Sequence, residues 1–380
     1  YFYLRAKQTS GLDASAKRRH YILSAASFGL MFASKYFPHY FGLNMLYHHF
    51  VRVREREPGE PKGKTPAVFY VVVFAAFLLA NPAVLLPQTW QYLTAYSSEG
   101  LLTHHGYLMG ETLYENTMSK TPFGGTPVYF YLLFLAIKTP PALLLALCAG
   151  LVEVVRRRGE PGPAFLLLMF VLWVVPYSLV GAKWLRYTLS LMPFVYMIGA
   201  VGITALVRRG ARLAGGHEGG AMRAWAGAAA VVFFVALPAW TAYANRPHYA
   251  LYTSALAPRG AGYFFPHDEF YDVGLREAVK FVSENAPPGA TVAHETPGVV
   301  RHYLEKYGRA DLRPRVISDP QFDVTSDPSN TFVILQRGRT YFENREEMGA
   351  VRSGGRFTKV YDGLVGGASA VEVYAPAAGR

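Results

Sequence analysis

Four runs of about twenty apolar residues, 67–86, 163–181, 186–206 and 224–243, constrain this chain more than any other feature. Each is as long as the hydrocarbon core of a bilayer requires of a helix. The connections between them are basic. Segments 1–20, 51–64, 153–160 and 207–223 together carry 17 Lys/Arg, whereas 87–126 and 181–186 carry only Lys120, Lys183 and Arg186. The charge splits the same way. Residues 1–243 hold 22 Lys/Arg against 10 Asp/Glu, and residues 244–380 hold 16 of each. The basic excess therefore belongs to the apolar part. This predicts a membrane domain over 1–243 and a neutral α/β domain over 244–380. Charged residues are only 17% of the 380, well below a soluble domain's share of about 25%. With no basic stripe on a folded surface, a nucleic-acid partner is excluded.

The positive-inside rule places the basic connections in the cytoplasm. Residues 21–50 must then cross an even number of times. The reading is a hairpin of two short helices broken at Pro38, with Lys35 at its outer tip. The run 127–155 is too long for one straight span. Thr139-Pro140 offers a cap and a first-turn proline, so the crossing is placed at 140–155, with the aromatic stretch 128–137 along the interface. Alternation then puts 87–126, 181–186 and 244–380 outside an inner membrane, in a periplasmic or other external space. In the last segment, 273–285, 297–307 and 341–351 read as helices. Segments 290–294, 331–336 and 370–375 read as strands, a small α/β layer.

Cys148 is the only cysteine, which leaves no intramolecular disulfide and no cysteine zinc site. Adjacent His104 and His105 with Glu111 do not have the usual metal-ligand spacing, so the metal signal is weak and no metal ligand or cofactor is assigned. Lys35, Lys183 and Arg186 fall on one side of the membrane without a nearby sequence carboxylate. Lysines there can snorkel to the interface, or the three can grip an anion, with Arg as a fork and Lys as a point charge. Lys138 is either an interfacial anchor or a further contact. Pro266-His267-Asp268-Glu269 reads as a turn.

Several of these stretches resemble glycosyltransferase family 39. They are His104-His105-Gly106-Tyr107-Leu108-Met109-Gly110-Glu111, then TPVYFYLLFLAIKTPPALLLAL at 126–147, GLMFASKY at 29–36, KWLRYTLSLMP at 183–193 and PHYALYTSALAPRGAGY at 247–263. The resemblance covers roughly residues 20–265. It implies a multi-span, C-type membrane enzyme, similar to polyprenyl-phosphate-mannose-protein mannosyltransferases. Such an enzyme takes a sugar from a polyprenyl-phosphate donor and passes it to a protein or lipid acceptor outside the membrane. It implies substrate contacts at Lys35, Lys183, Arg186, Tyr187, His104, Glu111 and Lys138. The family's catalytic carboxylate lies in its first external loop, and this chain has no counterpart. The base is therefore expected upstream of Tyr1, with Glu111 as the one candidate inside the sequence, and this chain alone is expected not to turn over. A transporter or flippase of lipid-linked sugar is the alternative. It would share the cations but would also place polar residues at the bilayer midplane.

Overall fold

The computed structural model describes residues 1–8, 14–34, 46–47, 65–97, 105–118, 120, 124–213 and 220–377. The chain is mostly helical, with a small sheet toward its C-terminus. It divides into two compact units. The first comprises 1–101, 142–179 and 187–237; the second comprises 102–141, 180–186 and 238–380.

In the first unit, three helices are long and apolar enough to cross a membrane: Pro161–Leu179, Met192–Arg212 and Gly227–Ala244, the last running on into the second unit. The expected span at 67–86 is shorter. Its helix, Ala67–Ala80, is about 21 Å long. It stops because Pro82 has no N–H to give and disfavours helical backbone at Asn81. One 3-10 turn, Pro82–Leu85, and a second helix, Pro87–Ser97, follow. The span expected from residue 186 begins at Met192, because 185–190 wind into a 3-10 turn. Where a span was expected at 140–155 there is a 16-residue helix, Pro141–Arg156, which starts one residue later than Thr139-Pro140 suggested and is shorter than the three long apolar helices.

The last span contains a wide turn, Val232–Ala236, in which Leu237 N–H reaches back five residues to Val232 O. Pro238 explains it: a proline cannot supply the next helical N–H, and the wider turn absorbs the mismatch. Of the two short helices read into 21–50, the first lies within a longer one. That helix, Ala14–Ser34, takes in the basic residues Lys17, Arg18 and Arg19. Its proposed partner, Pro38 and Lys35 lie outside the described residues.

Small residues let these helices touch. A Cβ on Gly202 would stand 1.9 Å from Ala146 O, and one on Gly150 would stand 1.9 Å from Ile198 O. Backbone-to-backbone contact of this kind is how helices associate where lipid is as apolar as leucine. Leucine at Gly202 should therefore separate Pro141–Arg156 from Met192–Leu213. The expected cost is about 1–3 kcal/mol or more, read as a lowered unfolding midpoint in detergent. An unchanged midpoint would mean that the two helices do not meet there.

The second unit is built on two sheets. Strands β1 (Tyr107–Met109) and β2 (Thr112–Tyr114) form a hairpin whose two-residue turn holds Gly110 at φ 66°. The larger sheet contains β3 (Thr291–Ala293), β4 (Arg313–Arg315), β5 (Thr331–Gln336), β6 (Phe357–Val365) and β7 (Ala368–Pro376), in the order β4-β3-β5-β7-β6. The β3 strand runs parallel to β4 and β5, while β7 is antiparallel to β5 and β6. Strand periodicity decides the layers. Phe332 and Ile334 face the helices Leu275–Asn285 and Pro297–Lys306 through Val279, Val282, Val300 and Leu304. Val333 and Leu335 face Met348 and Val351 of the helix Arg345–Ser353.

The expected helices and strands of 273–375 form with shifts of up to four residues at their ends. Two of this sheet's strands had no sequence signal. The β4 strand, Arg-Pro-Arg, has no apolar alternation and tolerates Pro314 because it is an edge. The β6 strand is the other edge, with mostly outward-facing side chains.

Candidate functional site

A buried polar cluster forms in the second unit where residues distant in sequence meet. Its centre is the four-residue helix Pro266–Glu269. This was the segment expected to be a turn. Proline at the first helical position and two acids in the first turn are a helix-start signal. Tyr263-Phe264-Phe265 before it supply the apolar anchor that buries it, with Phe265 packing edge-on against Phe130 at 5.2 Å.

Glu269 pairs with Lys138, and the side chains are 3% and 8% exposed. Lys138 Nζ also donates to Ala250 O (3.0 Å) and Tyr252 O (2.8 Å). The second oxygen of Glu269 accepts the Gly262 N–H at 2.5 Å. Burial raises the Glu269 carboxyl and lowers the Lys138 ammonium, and their mutual attraction opposes both shifts. All three Lys138 protons have acceptors, so its role is to fasten the end of the helix Phe130–Lys138 to the chain at 250–252.

Asp268 accepts the Tyr107 hydroxyl at 2.6 Å. It also receives a hydrogen bond from the Leu185 backbone and feels the charge of Arg186, yet burial raises its carboxyl. Tyr107 is fully buried, which pushes its hydroxyl well above the ordinary phenol range; Asp268 adds to the shift. Its ring stacks on His267 at 4.8 Å and meets Trp184 at 5.6 Å. The Arg186 guanidinium lies 5.0 Å from the Trp184 ring centroid, and the side chain is exposed.

His267 bridges the β1 strand and the chain at Thr340. Its Nδ1 accepts the Leu108 N–H (3.0 Å), and its Nε2–H donates to Thr340 O (2.9 Å). Only the neutral ring can do both. Burial lowers its pKa to about 4. Between pH 6.5 and about 4, the unfolded chain therefore binds this proton and the folded chain does not. The contribution is complete above pH 6.5 and is lost as pH falls toward 4. Asp268 and Glu269, raised by burial, change stability in the opposite direction at low pH. The variant comparison isolates the histidine. His267→Gln should flatten the pH dependence of the unfolding midpoint over pH 4–6.5 by one proton's worth, and equal slopes would show that His267 is solvated.

Lys183 has another task than the expected anion contact. It is fully buried; its Nζ donates to Thr126 O (2.6 Å) and Val180 O, and its N–H donates to Asn116 Oδ1 (2.7 Å). Burial lowers its pKa to about 8. It holds the turn 180–186 in place, helped by Gly181, where a Cβ would stand 2.3 Å from Lys120 O. Arg186 is the cation of this turn that reaches solvent.

Glu111 sits on the β1–β2 turn, exposed, at a cleft of about 430 Å³ that it shares with Leu335, Arg337, Arg352 and Glu372. His105 pairs with Glu343 at 2.6 Å. Tyr187 belongs to the first unit, its ring 5.7 Å from that of Tyr177. Lys35 and His104 lie outside the described residues. Among the described residues, no group of three His, Cys, Asp or Glu side chains could hold a metal. Of the expected site residues, then, the structure groups Lys138 and Arg186 around Asp268 and Glu269 and places Lys183 on the same turn as Arg186. Tyr107, Trp184, His267, Asp268 and Glu269 had no assigned role in the sequence.

The chain matches no protein-family model, no curated protein and no solved structure.

Proposed function

We propose that this chain carries the carrier-phosphate side of a membrane glycosyltransferase. The reaction moves a sugar from a polyprenyl-phosphate donor to a hydroxyl of a protein or lipid acceptor outside the inner membrane. One observation supports it most. Parts of the family-like stretches at 105–111, 126–139, 183–186 and 247–263, separated by long helices in sequence, fold into a single unit around the Lys138–Glu269 pair. The chemistry needs a cation where the carrier phosphate leaves. Breaking the bond between the sugar's anomeric carbon and the phosphate oxygen puts charge on that oxygen, and a fixed guanidinium stabilises it. Arg186 is exposed, stacked on Trp184 and held near Asp268, so it supplies a positioned charge. Lys183 shapes the turn that presents it.

The test is transfer of labelled mannose from polyprenyl-phosphate mannose in membranes that hold this chain together with the segment supplying the base. Transfer that depends on Arg186 supports the reading. Transport of intact lipid-linked sugar without cleavage would replace it with the flippase reading.

The topology has its own test, motivated by the basic connections. Cysteine at Ser326, which is exposed, should react with an impermeant thiol reagent in intact cells. Labelling only after lysis would invert the orientation.

A further inference from the structure

The first unit holds a second cationic site that the transfer reaction does not use. Near the C-terminal end of Met192–Leu213, a cleft of about 300 Å³ opens between this helix and Pro141–Arg156. Thr204, Ala205, Arg208 and Arg212 lie three, four, seven and eleven residues on from Val201, so the five line one face of their helix. Glu153 and Arg157 line the facing helix and the turn after it, and Arg209 completes the rim. The charges do not cancel. Arg157 is engaged by Glu160 through two bonds of 2.8 and 2.6 Å. Arg208, Arg209 and Arg212 are exposed and have neither an ion pair nor a hydrogen bond among the described residues. Glu153 is the only acid among the cleft's lining residues.

We propose that this cleft binds the phosphate headgroup of an anionic phospholipid. Three guanidiniums with no partner among the described residues, within little more than one helical turn, match a phosphodiester, which arginine grips through paired N–H groups. The lipid source, rather than free phosphate, follows from what adjoins the cations. Val201 and Ala205 give the cleft an apolar floor, and one turn further Tyr196 and Met197 are 64% and 43% exposed on a helix apolar enough to cross a membrane. Acyl chains have a surface to lie on, and basic pockets between spanning helices are where acidic headgroups settle. The proposal does not depend on the glycosyltransferase reading.

The experiment uses the purified protein in nanodiscs of equal parts phosphatidylcholine and phosphatidylglycerol. Lipids retained after transfer to detergent are counted by mass spectrometry. The wild-type protein should retain phosphatidylglycerol in preference to phosphatidylcholine. The triple variant Arg208→Gln/Arg209→Gln/Arg212→Gln should lose about tenfold of that preference, since each basic residue at a membrane surface contributes measurably. Ala205→Phe fills the floor, keeps every charge and should also lose it, which covers the case in which the triple variant does not fold. A charge-matched control, Arg301→Gln/Arg313→Gln/Arg315→Gln in the second unit, should keep it. Unchanged preference in both cleft variants, equal loss in the control, or equally tight binding of inorganic phosphate alone would each overturn the proposal.

Discussion

Replacing Glu269 by leucine should cost the second unit about 3–5 kcal/mol. The substitution leaves the Lys138 ammonium, 8% exposed, without its carboxylate in a place water does not reach. It also frees the Gly262 N–H. The measurement is a denaturant or thermal unfolding curve followed by a probe in this unit. Adding Lys138→Met should restore part of the loss, because an apolar pair can replace a buried ion pair at little cost. The recovery should be incomplete, because Ala250 O and Tyr252 O lose their donor. The double-mutant cycle then gives the coupling itself. A loss below about 1 kcal/mol in the single variant would show that the pair is solvated.

The second large effect is on chemistry. On the proposed function, and in an enzyme that holds this chain together with its catalytic base, Arg186→Ala should lower sugar transfer from polyprenyl-phosphate mannose about 10²–10³-fold in kcat, the size seen when one fixed stabiliser of a developing negative charge is removed. Stability should hardly move, because Arg186 is exposed and its guanidinium lies over the Trp184 ring at the surface of the turn. Arg186→Lys should recover only part of the rate, since lysine keeps the charge but loses the planar fork. Unchanged turnover and unchanged donor affinity in Arg186→Ala would reduce this residue to an interfacial anchor. Lys183→Met offers the contrast. It should act through folding, lowering the unfolding midpoint, because its ammonium is spent on Thr126 O and Val180 O.

Hydrophobic length and strand periodicity were legible in the sequence because they are local. Spans at 163–181 and 224–243 needed only a count of apolar residues, and the buried strand 331–336 needed only its run of Thr-Phe-Val-Ile-Leu-Gln between breakers. Where one residue interrupts such a run, the local rule still gives the reason. Pro82 ends the helix that hydrophobicity alone would have carried to residue 86. The polar cluster was not legible in that way. Lys138 and Glu269 stand 131 positions apart, and Tyr107 and Asp268 stand 161 apart. A lone lysine before a span and a Pro-His-Asp-Glu segment each look ordinary until burial forces them to find partners. Lys183 and Arg186 make the same point in reverse. Three residues apart on one turn, they looked alike as cations, and only the contacts of Asn116 and Thr126 with Lys183 sent one ammonium inward to backbone carbonyls, while the other side chain is exposed. The sequence by itself determined which segments are apolar enough to leave water and where the basic charge lies, because those depend on composition over a single element. Which of its ionisable side chains are buried to hold the structure, and which stay at the surface, was decided by tertiary contact, because the cost of burying a charge depends on what else is buried beside it.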